Sequence, residues 1–418
     1  MLTPAEAARQ IVDHLAPLAP VRRSLRDALD HVLAEDVISP IDLPPWDNSA
    51  MDGYAVRADD VRGATAERPV RLRITESVAA GAFPSRAVAV GEAIRIFTGA
   101  PLPDGADTVV RQEDTVAEAD GVVAVRDDRD AGRNLRRRGE DIRRATTVLA
   151  RGTPLGPAHL GVLASIAHAT PLVHPAPRVA FLGSGDEIAE LDQAADILAG
   201  RKIASSNSYT LHALIRRAGA EPVDLGVARD SEASLREHLA RARGCDLLVT
   251  TAGVSVGEHD LVRQVLERLG GGLHFWRVQM RPGAPLGFGS LAGVPWIGLP
   301  GNPVSTMVTF ELFVRPAIRR LAGHPLPFRR TVPVTVAEPI DLGPRLRHFL
   351  RAVVTTPHGP DGGRECILTG PQGSGILTSM VRANALLIVP ADRPSVPAGT
   401  VLTALLLDEP EHLAAPTY

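Results

Sequence analysis

Only two cysteines occur in 418 residues, Cys245 and Cys366, far apart and outside any C-x-x-C pair. That excludes a disulfide framework and leaves no thiolate set for a structural zinc ion. Nor is there an uninterrupted apolar run of the roughly 18 residues a membrane-spanning helix requires. No charge sign dominates: the formal net charge is −3, so the chain as a whole presents no electrostatic footprint for nucleic acid. A G-x-x-x-x-G-K-[ST] phosphate loop is missing, and Gly183-Ser184-Gly185 is followed by Ile188 where a dinucleotide fingerprint requires glycine or alanine. No internal repeat is visible. What remains is 44% hydrophobic and 22% charged residues, ordinary for a folded chain, in a length that exceeds one core and predicts two to four domains. Over residues 1–19 the polar Glu6, Arg9, Asp13 and His14 break the apolar pattern, which predicts an amphipathic helix rather than the h-region of a signal peptide. The expectation is a cytoplasmic enzyme.

Along the chain, residues 1–43 read as helix, turn and extended segment ending at Leu43-Pro44-Pro45. From there to 139, period-2 runs such as 70–74 and 93–97 alternate with glycine and proline, predicting a small β-rich domain. An apolar helical stretch carrying Leu160, Leu163 and Ile166 precedes the boundary His174-Pro175-Ala176-Pro177. Strands are predicted over 178–182, 223–227, 246–250 and 294–299. Helices are predicted over 207–218, 231–243, 261–269 and 304–321. Strand and helix alternating across short loops predict a doubly wound, mainly parallel α/β sheet. Beyond 327 helical patterning vanishes and strands at 331–336, 366–369 and 386–389 predict a β domain, barrel or sandwich.

In an open parallel sheet, ligands bind beyond the carboxyl ends of the strands. Three loops fall there: Gly183-Ser184-Gly185-Asp186-Glu187, the run from Thr250 through Gly253-Val254-Ser255-Val256-Gly257 to Asp260, and Leu299-Pro300-Gly301-Asn302-Pro303-Val304-Ser305. Glycines let backbone N–H groups approach an anion, and helix N-termini add favourable dipole ends. Glu187, Asp260 and Asp230 would repel a phosphate unless a hard cation lay between, so phosphate with Mg²⁺ is the natural reading. Gly253-Val254-Ser255-Val256-Gly257 also matches the G-x-S-x-G nucleophile elbow. That elbow should run straight into a helix, whereas Gly257-Glu258-His259-Asp260 intervenes, and His274, His324, His348 and His358 have no obvious triad context. A serine hydrolase using Ser255 is therefore the minor alternative. The basic run Arg133-Asn134-Leu135-Arg136-Arg137-Arg138, followed by Asp141, is either a solvated face or a lure for a polyanion. Asp47-Asn48-Ser49-Ala50-Met51-Asp52-Gly53-Tyr54-Ala55 packs two acids, an amide and a hydroxyl into one short loop, and Thr98-Gly99-Ala100 forms a second polar loop.

These two loops, together with Arg138-Gly139-Glu140-Asp141-Ile142, Gly253-Val254-Ser255-Val256-Gly257 and Leu299-Pro300-Gly301-Asn302-Pro303-Val304-Ser305, closely resemble the MoeA family, which includes the E domain of gephyrin. The match is in order and spans nearly the whole chain. The resemblance implies an extended linker domain (1–43 and 140–176), a β-rich domain (44–139), a molybdopterin-binding α/β domain (177–326) and a C-terminal β-barrel (327–418). It implies a homodimer with a cleft between the α/β domain of one subunit and the β-rich domain of the other, and a separate adenylyltransferase is a possible delivery partner. The implied reaction takes adenylylated molybdopterin and molybdate, inserts molybdenum and releases AMP with Mg²⁺. By resemblance Asp52, Thr98 and Asp141 line the cleft with the catalytic acids Glu187, Asp230 and Asp260. Ser184, Gly253, Ser255, Gly257, Pro300, Asn302 and Pro303 bind substrate, Glu187 and Asp260 hold the metal, and Arg281, Arg351 and Ser374 hold molybdate.

Two departures stand out. Where the family commonly reads Lys-Pro-Gly-Lys-Pro, this chain has Arg281-Pro282-Gly283-Ala284-Pro285, and Ala252 replaces the first glycine of Gly-Gly-Val-Ser. Loss of the second cation at Ala284 removes a charged hydrogen bond worth about 1.5–3 kcal/mol to an oxyanion site, with Arg277 the candidate to compensate. Hence two further alternatives: a tungstate-preferring paralogue, or a scaffold that keeps the fold without catalysis.

Overall fold

Alternation along the strands of the α/β region divides the apolar residues between two cores. In the strand Arg178–Ser184, Val179 and Phe181 enter one cluster, while Ala180 and Leu182 enter the other. A strand buried on both faces is the signature of a sheet covered by helices on each side. The computed structural model describes residues 1–251, 265, 268, 271–343, 345–355 and 363–408. Its chain forms two units: Met1–Ala34 with Gly152–Pro157 and Thr170–Tyr418, and Glu35–Arg151 with Ala158–Ala169.

The first unit carries a six-stranded sheet in the order Glu221–Ala228, Arg178–Ser184, Leu247–Thr251, Val294–Leu299, Pro285–Leu291, Gly272–Arg277. The first four strands are mutually parallel. The last two are joined antiparallel, so Pro285–Leu291 alone runs against the other five and the sheet is mainly parallel with one reversed strand. These two are the strands that sequence patterning passed over: Gly287 and Gly289 leave room for Trp296 and for the Gly272 carbonyl, and glycine at those points hides the period-2 signal. Helix Ser206–Arg217 buries Leu211 and Ile215 on the first core, and Glu232–Ala240 buries Leu235 and Leu239 on the second. The predicted helix over 261–269 lies outside the described residues.

Helix Pro4–Asp13 begins with a capping box in which Thr3 and Glu6 satisfy each other's backbone N–H groups. It drives Ala7 and Ile11 into the first core. Fully burying a side chain such as Ile11 contributes about 1.5–3 kcal/mol. The final helix of the α/β region is not continuous as patterned: Pro303–Thr309 and Arg315–Leu321 flank a π-helical turn, Phe310–Val314. Pro316 explains the interruption, because it has no N–H to offer the preceding turn and its ring crowds that turn's carbonyl.

C-terminal to this, five strands close on themselves in the order Arg347–Val354, Glu365–Leu368, Thr331–Val336, Val401–Leu406, Ala385–Val389 and back to Arg347–Val354. The barrel interior is filled by residues such as Val334, Leu350, Leu387 and Ala404. Helices do not vanish entirely there, since Thr378–Arg382 forms one short turn.

In the second unit a six-stranded sheet runs Thr108–Arg111, Gly53–Val56, Glu92–Ile96, Val70–Val78, Val122–Val125, Thr115–Glu118. Tyr54 and Val56 face one cluster and Ala55 the other. Gly53 is obligatory: a Cβ there would lie 1.9 Å from the Val110 carbonyl oxygen.

Candidate functional site

The strands Arg178–Ser184, Leu247–Thr251 and Val294–Leu299 point their carboxyl ends at one place, where a cavity of about 430 Å³ opens. Gly183, Ser184 and Thr251 come from two of the strand ends, Pro300 and Asn302 from the loop after the third, and Glu187 from the loop after the first. Thus Ser184, Glu187, Pro300, Asn302 and Pro303, five of the expected site residues, line a single cavity. The beginnings of helices Ser206–Arg217 and Pro303–Thr309 complete its wall. Unpaired N–H groups at such helix starts favour an anion.

Sequence reading missed the other wall, Ser205-Ser206-Asn207-Ser208, at the start of the helix predicted over 207–218. Ser205 is the N-cap residue but makes no side-chain capping bond; its Oγ lies 2.6 Å from the Ser208 Oγ. Asn207 Nδ2 donates to the Gly301 carbonyl at 2.7 Å, tying one helix start to the other loop, while its Oδ1 is buried with no hydrogen-bond partner. Four small polar residues at a helix start directly after a strand were the available signal. On the far loop, the Thr306 hydroxyl donates to the Pro300 carbonyl at 2.7 Å and fixes the turn.

Glu187 is exposed, and its carboxylate folds back over Gly185. Gly185 has φ +141°, and a Cβ there would meet that carboxylate at 2.7 Å, so only glycine allows the fold-back. Beside it, the Asp186 and Asp230 loops brace each other: each backbone N–H donates to the other's carboxylate at 3.4 Å. Glu190, just past this loop, keeps Oε1 buried without a partner; burial, and then the charge of Asp224, push its pKa upward. Asp260, Gly253, Ser255 and Gly257 lie outside the described residues, as does the Ser255 alternative that depends on them.

Mg²⁺ fits this donor set in a limited way. Among the described residues no three His, Cys, Asp or Glu side chains converge, but Mg²⁺ commonly takes one or two carboxylates and completes its shell with water and substrate phosphate. Glu187, a hard oxygen donor lining an anion-receptive cavity, meets that requirement.

The three candidate molybdate residues do not share one role. Arg351 is fully buried, and its guanidinium is consumed internally: it donates to Ser379 Oγ at 3.0 Å and to the Gln372 and Gly373 carbonyls at 3.1 and 2.9 Å. Burial pushes its pKa down to about 10. With these bonds it holds the 371–373 turn from behind. That turn presents Ser374, whose carbonyl accepts from the Val304 N–H at 3.1 Å and so sits against the helix start that lines the cavity. Arg281 is exposed at the barrel edge, paired in parallel register with His348. Gly283 next to it has φ +99°, and a Cβ there would press within 2.4 Å of Thr309.

In the second unit, Asp52 ends the turn before Gly53–Val56 and Thr98 follows Glu92–Ile96, its antiparallel neighbour. Asp52 Oδ1 accepts from the Thr98 N–H at 2.8 Å and from its hydroxyl at 2.7 Å. The Thr98 N–H, and secondarily its hydroxyl, hold the Asp52 carboxyl below the ordinary carboxylate range. Asp141 is exposed, with its N–H donating to the Leu43 carbonyl at 3.0 Å. Much of the basic run is neutralised: Arg137 pairs with Asp47 at 2.7 Å and Arg138 with Asp42 at 2.6 Å.

A covered α/β sheet with an anion-receptive cavity at its strand ends, continuous with a closed barrel, defines a protein that handles an anionic, phosphate-bearing small molecule. Residues 2–167 match the MoeA N-terminal region (domain I and II), 180–320 the probable molybdopterin binding domain, and 333–407 the MoeA C-terminal region (domain IV). The chain belongs to the MoeA family. It is 38% identical to molybdopterin molybdenumtransferase 2 of Mycobacterium tuberculosis, over 95% of this chain and 97% of the relative. With the molybdopterin molybdenumtransferase of Nostoc sp. it shares 34% identity over 97% of this chain and 94% of the relative. The solved molybdopterin biosynthesis MoeA protein of Pyrococcus horikoshii OT3 superimposes with a TM-score of 0.80 at 29% identity, covering 97% of this chain and all of that one.

Proposed function

We propose that this chain is a molybdopterin molybdenumtransferase that inserts molybdenum from molybdate into adenylylated molybdopterin, releasing AMP with Mg²⁺, in molybdenum cofactor biosynthesis. One observation carries the reading: residues named from three separate stretches of sequence line a single strand-end cavity whose other wall is two helix starts. The four-domain division given above, a homodimer, a cytoplasmic location and delivery by an adenylyltransferase belong to the same proposal.

In this reading the phosphates lie against Ser184, Asn302 and the N–H groups at the helix starts, where fixed dipoles stabilise their charge without reorganising. The Asn207 Oδ1 offers an acceptor to the same ligand. Mg²⁺ held by Glu187 and Asp260 supplies neutralisation of the diphosphate when bound. Ser374 and Arg281 are the molybdate contacts, Arg351 fixes the loop carrying Ser374, and Asp52, Thr98 and Asp141 belong to the cleft that the resemblance implies between the two copies of the homodimer. Water or a molybdate oxygen attacks the activated phosphorus, the phosphoanhydride bond breaks and AMP leaves, a reaction governed mainly by positioning and charge stabilisation. A tungstate-preferring paralogue is the second reading, since Ala284 leaves one cation fewer at the oxyanion site than the family's usual lysine and so alters that site.

The test is AMP release from adenylylated molybdopterin with Mg²⁺, with and without molybdate or tungstate, using Asp260→Ala as control. Molybdate-dependent release that disappears in the variant supports the transferase. Release with tungstate alone shifts the assignment to the second reading, and no release with either oxyanion leaves a non-catalytic relative.

A further inference from the structure

A second open pocket, about 630 Å³, lies in the first unit, and its lining contains six arginines: Arg217, Arg315, Arg319, Arg329, Arg330 and Arg364. The fold gathers them from four places. Arg217 ends helix Ser206–Arg217; Arg315 and Arg319 stand one turn apart on Arg315–Leu321; Arg329 and Arg330 immediately precede strand Thr331–Val336; and Arg364 immediately precedes strand Glu365–Leu368. In a chain whose net charge is −3, this concentration of cations is a local inversion.

Two carboxylates counter part of this charge. Asp408 pairs with Arg217. Glu311, itself buried, accepts from Arg329 at 2.6 Å and lies 3.9 Å from Arg315. Arg319 has no carboxylate: it contacts His324 Nδ1 at 3.1 Å, and burial with the charges of Arg319 and Arg315 pushes that imidazole down to about 4, so it is neutral at pH 7. Arg330 is exposed and makes no hydrogen bond or ion pair with any described residue. Burial, reinforced by the charge of Arg329, depresses the pKa of Arg315 to about 10 and lowers that of Arg319. Arg315 and Arg329 share one carboxylate, Glu311, and Arg319 faces a neutral imidazole, so this half-buried group keeps an excess of positive charge that an anion relieves.

We propose that this pocket is a binding site for a diphosphate group, free or carried on a nucleotide, separate from the strand-end cavity and independent of the transferase reading. Several arginine forks converging on one opening suit bidentate phosphate contacts, and a diphosphate brings several negative charges in a span the pocket accommodates. Phe328, 46% exposed in the lining, with Leu406 and Leu407 adds an apolar wall for the organic part of such a ligand.

The experiment is calorimetric titration of the full chain with inorganic pyrophosphate, then with ADP and AMP. Expected is a saturable component that weakens about tenfold in Arg319→Gln and in Arg330→Ala, and weakens with added salt. It should persist unchanged in Ser184→Ala and be weaker for AMP than for ADP. Arg330→Ala touches only an exposed side chain, so an unchanged melting temperature without ligand establishes that its effect is on binding. The proposal is overturned if no component is lost in either arginine variant, or if the same component disappears on substitution at Ser184.

Discussion

The strand-end cavity of the first unit and the polar loops of the second are both rich in polar residues, and they differ in what the fold does with their acids. In the second unit the acids are largely satisfied at home: Asp47 accepts from Arg137 and from the Arg138 N–H, Asp42 from Arg138 and the Arg144 N–H, and one oxygen of Asp52 takes both donors of Thr98. Around the cavity, groups are left open: Asn207 Oδ1 is buried without a partner, and Glu187 turns an exposed carboxylate back over Gly185. Asn48 Oδ1, in the second unit's own polar loop, is likewise buried without a partner, so the contrast rests on the carboxylates. Polar density alone is therefore a poor guide to a site; what matters is how much hydrogen-bonding capacity the fold leaves over.

The contrast can be broken most severely at Arg351, the polar group most completely engaged. Replacing it with methionine leaves the Gln372 and Gly373 carbonyls without their buried donor. Unfolding by denaturant should show a loss of about 3 kcal/mol, since each unpaired buried group costs roughly 1–3 kcal/mol. A loss below about 1 kcal/mol, with oxyanion affinity abolished, would return Arg351 to the role of direct ligand.

At Glu187 the expectation reverses. Glu187→Gln keeps the shape but removes the charge, so AMP release should fall about 100-fold while unfolding free energy moves by less than about 1 kcal/mol, as for other exposed substitutions. The defect should shrink as Mg²⁺ is raised. If stability drops and activity does not, the open carboxylate is a structural prop and the comparison fails at its centre.

The same distinction sets how far the sequence could be read. Loops after strands 178–182 and 294–299 were legible because apolar runs mark the strands and glycine and proline mark their ends; the loops holding Ser184, Glu187, Pro300, Asn302 and Pro303 followed from that geometry, and the substrate roles of Ser184, Pro300, Asn302 and Pro303 came from the family resemblance. Strand Arg347–Val354 was not legible, because Arg347, His348 and Arg351 break its apolar pattern, and only the fold shows that Arg351 is buried against carbonyls. Antiparallel Pro285–Leu291 was hidden by its own glycines, and the π-helical turn required weighing Pro316 inside an otherwise good helical period. Asn207 looked like a cap because capping and ligand binding use the same residue types at the same helix position.

Asp52 lies between the two extremes and gives the smallest but sharpest test. Both Thr98 bonds fall on Oδ1, leaving Oδ2 exposed and outside that pair. Its pKa is lowered, so the carboxylate's contribution to stability is complete above the ordinary aspartate range and is lost only as pH falls through the depressed folded-state value. Asp52→Asn can keep the amide oxygen on Thr98 while losing the charge. Near neutral pH it should melt within a few degrees of the parent, and its stability should no longer show that carboxylate's acid limb. AMP release should fall about tenfold if Oδ2 meets substrate. Thr98→Ala separates the two bonds: it removes the hydroxyl donor but keeps the N–H on Oδ1, so the Asp52 pKa should rise only part of the way and the acid limb should move slightly to higher pH with the charge still present. An acid limb that stays in place in Thr98→Ala would mean that the hydroxyl contributes nothing to the ionisation of Asp52 and that the Thr98 N–H alone holds it.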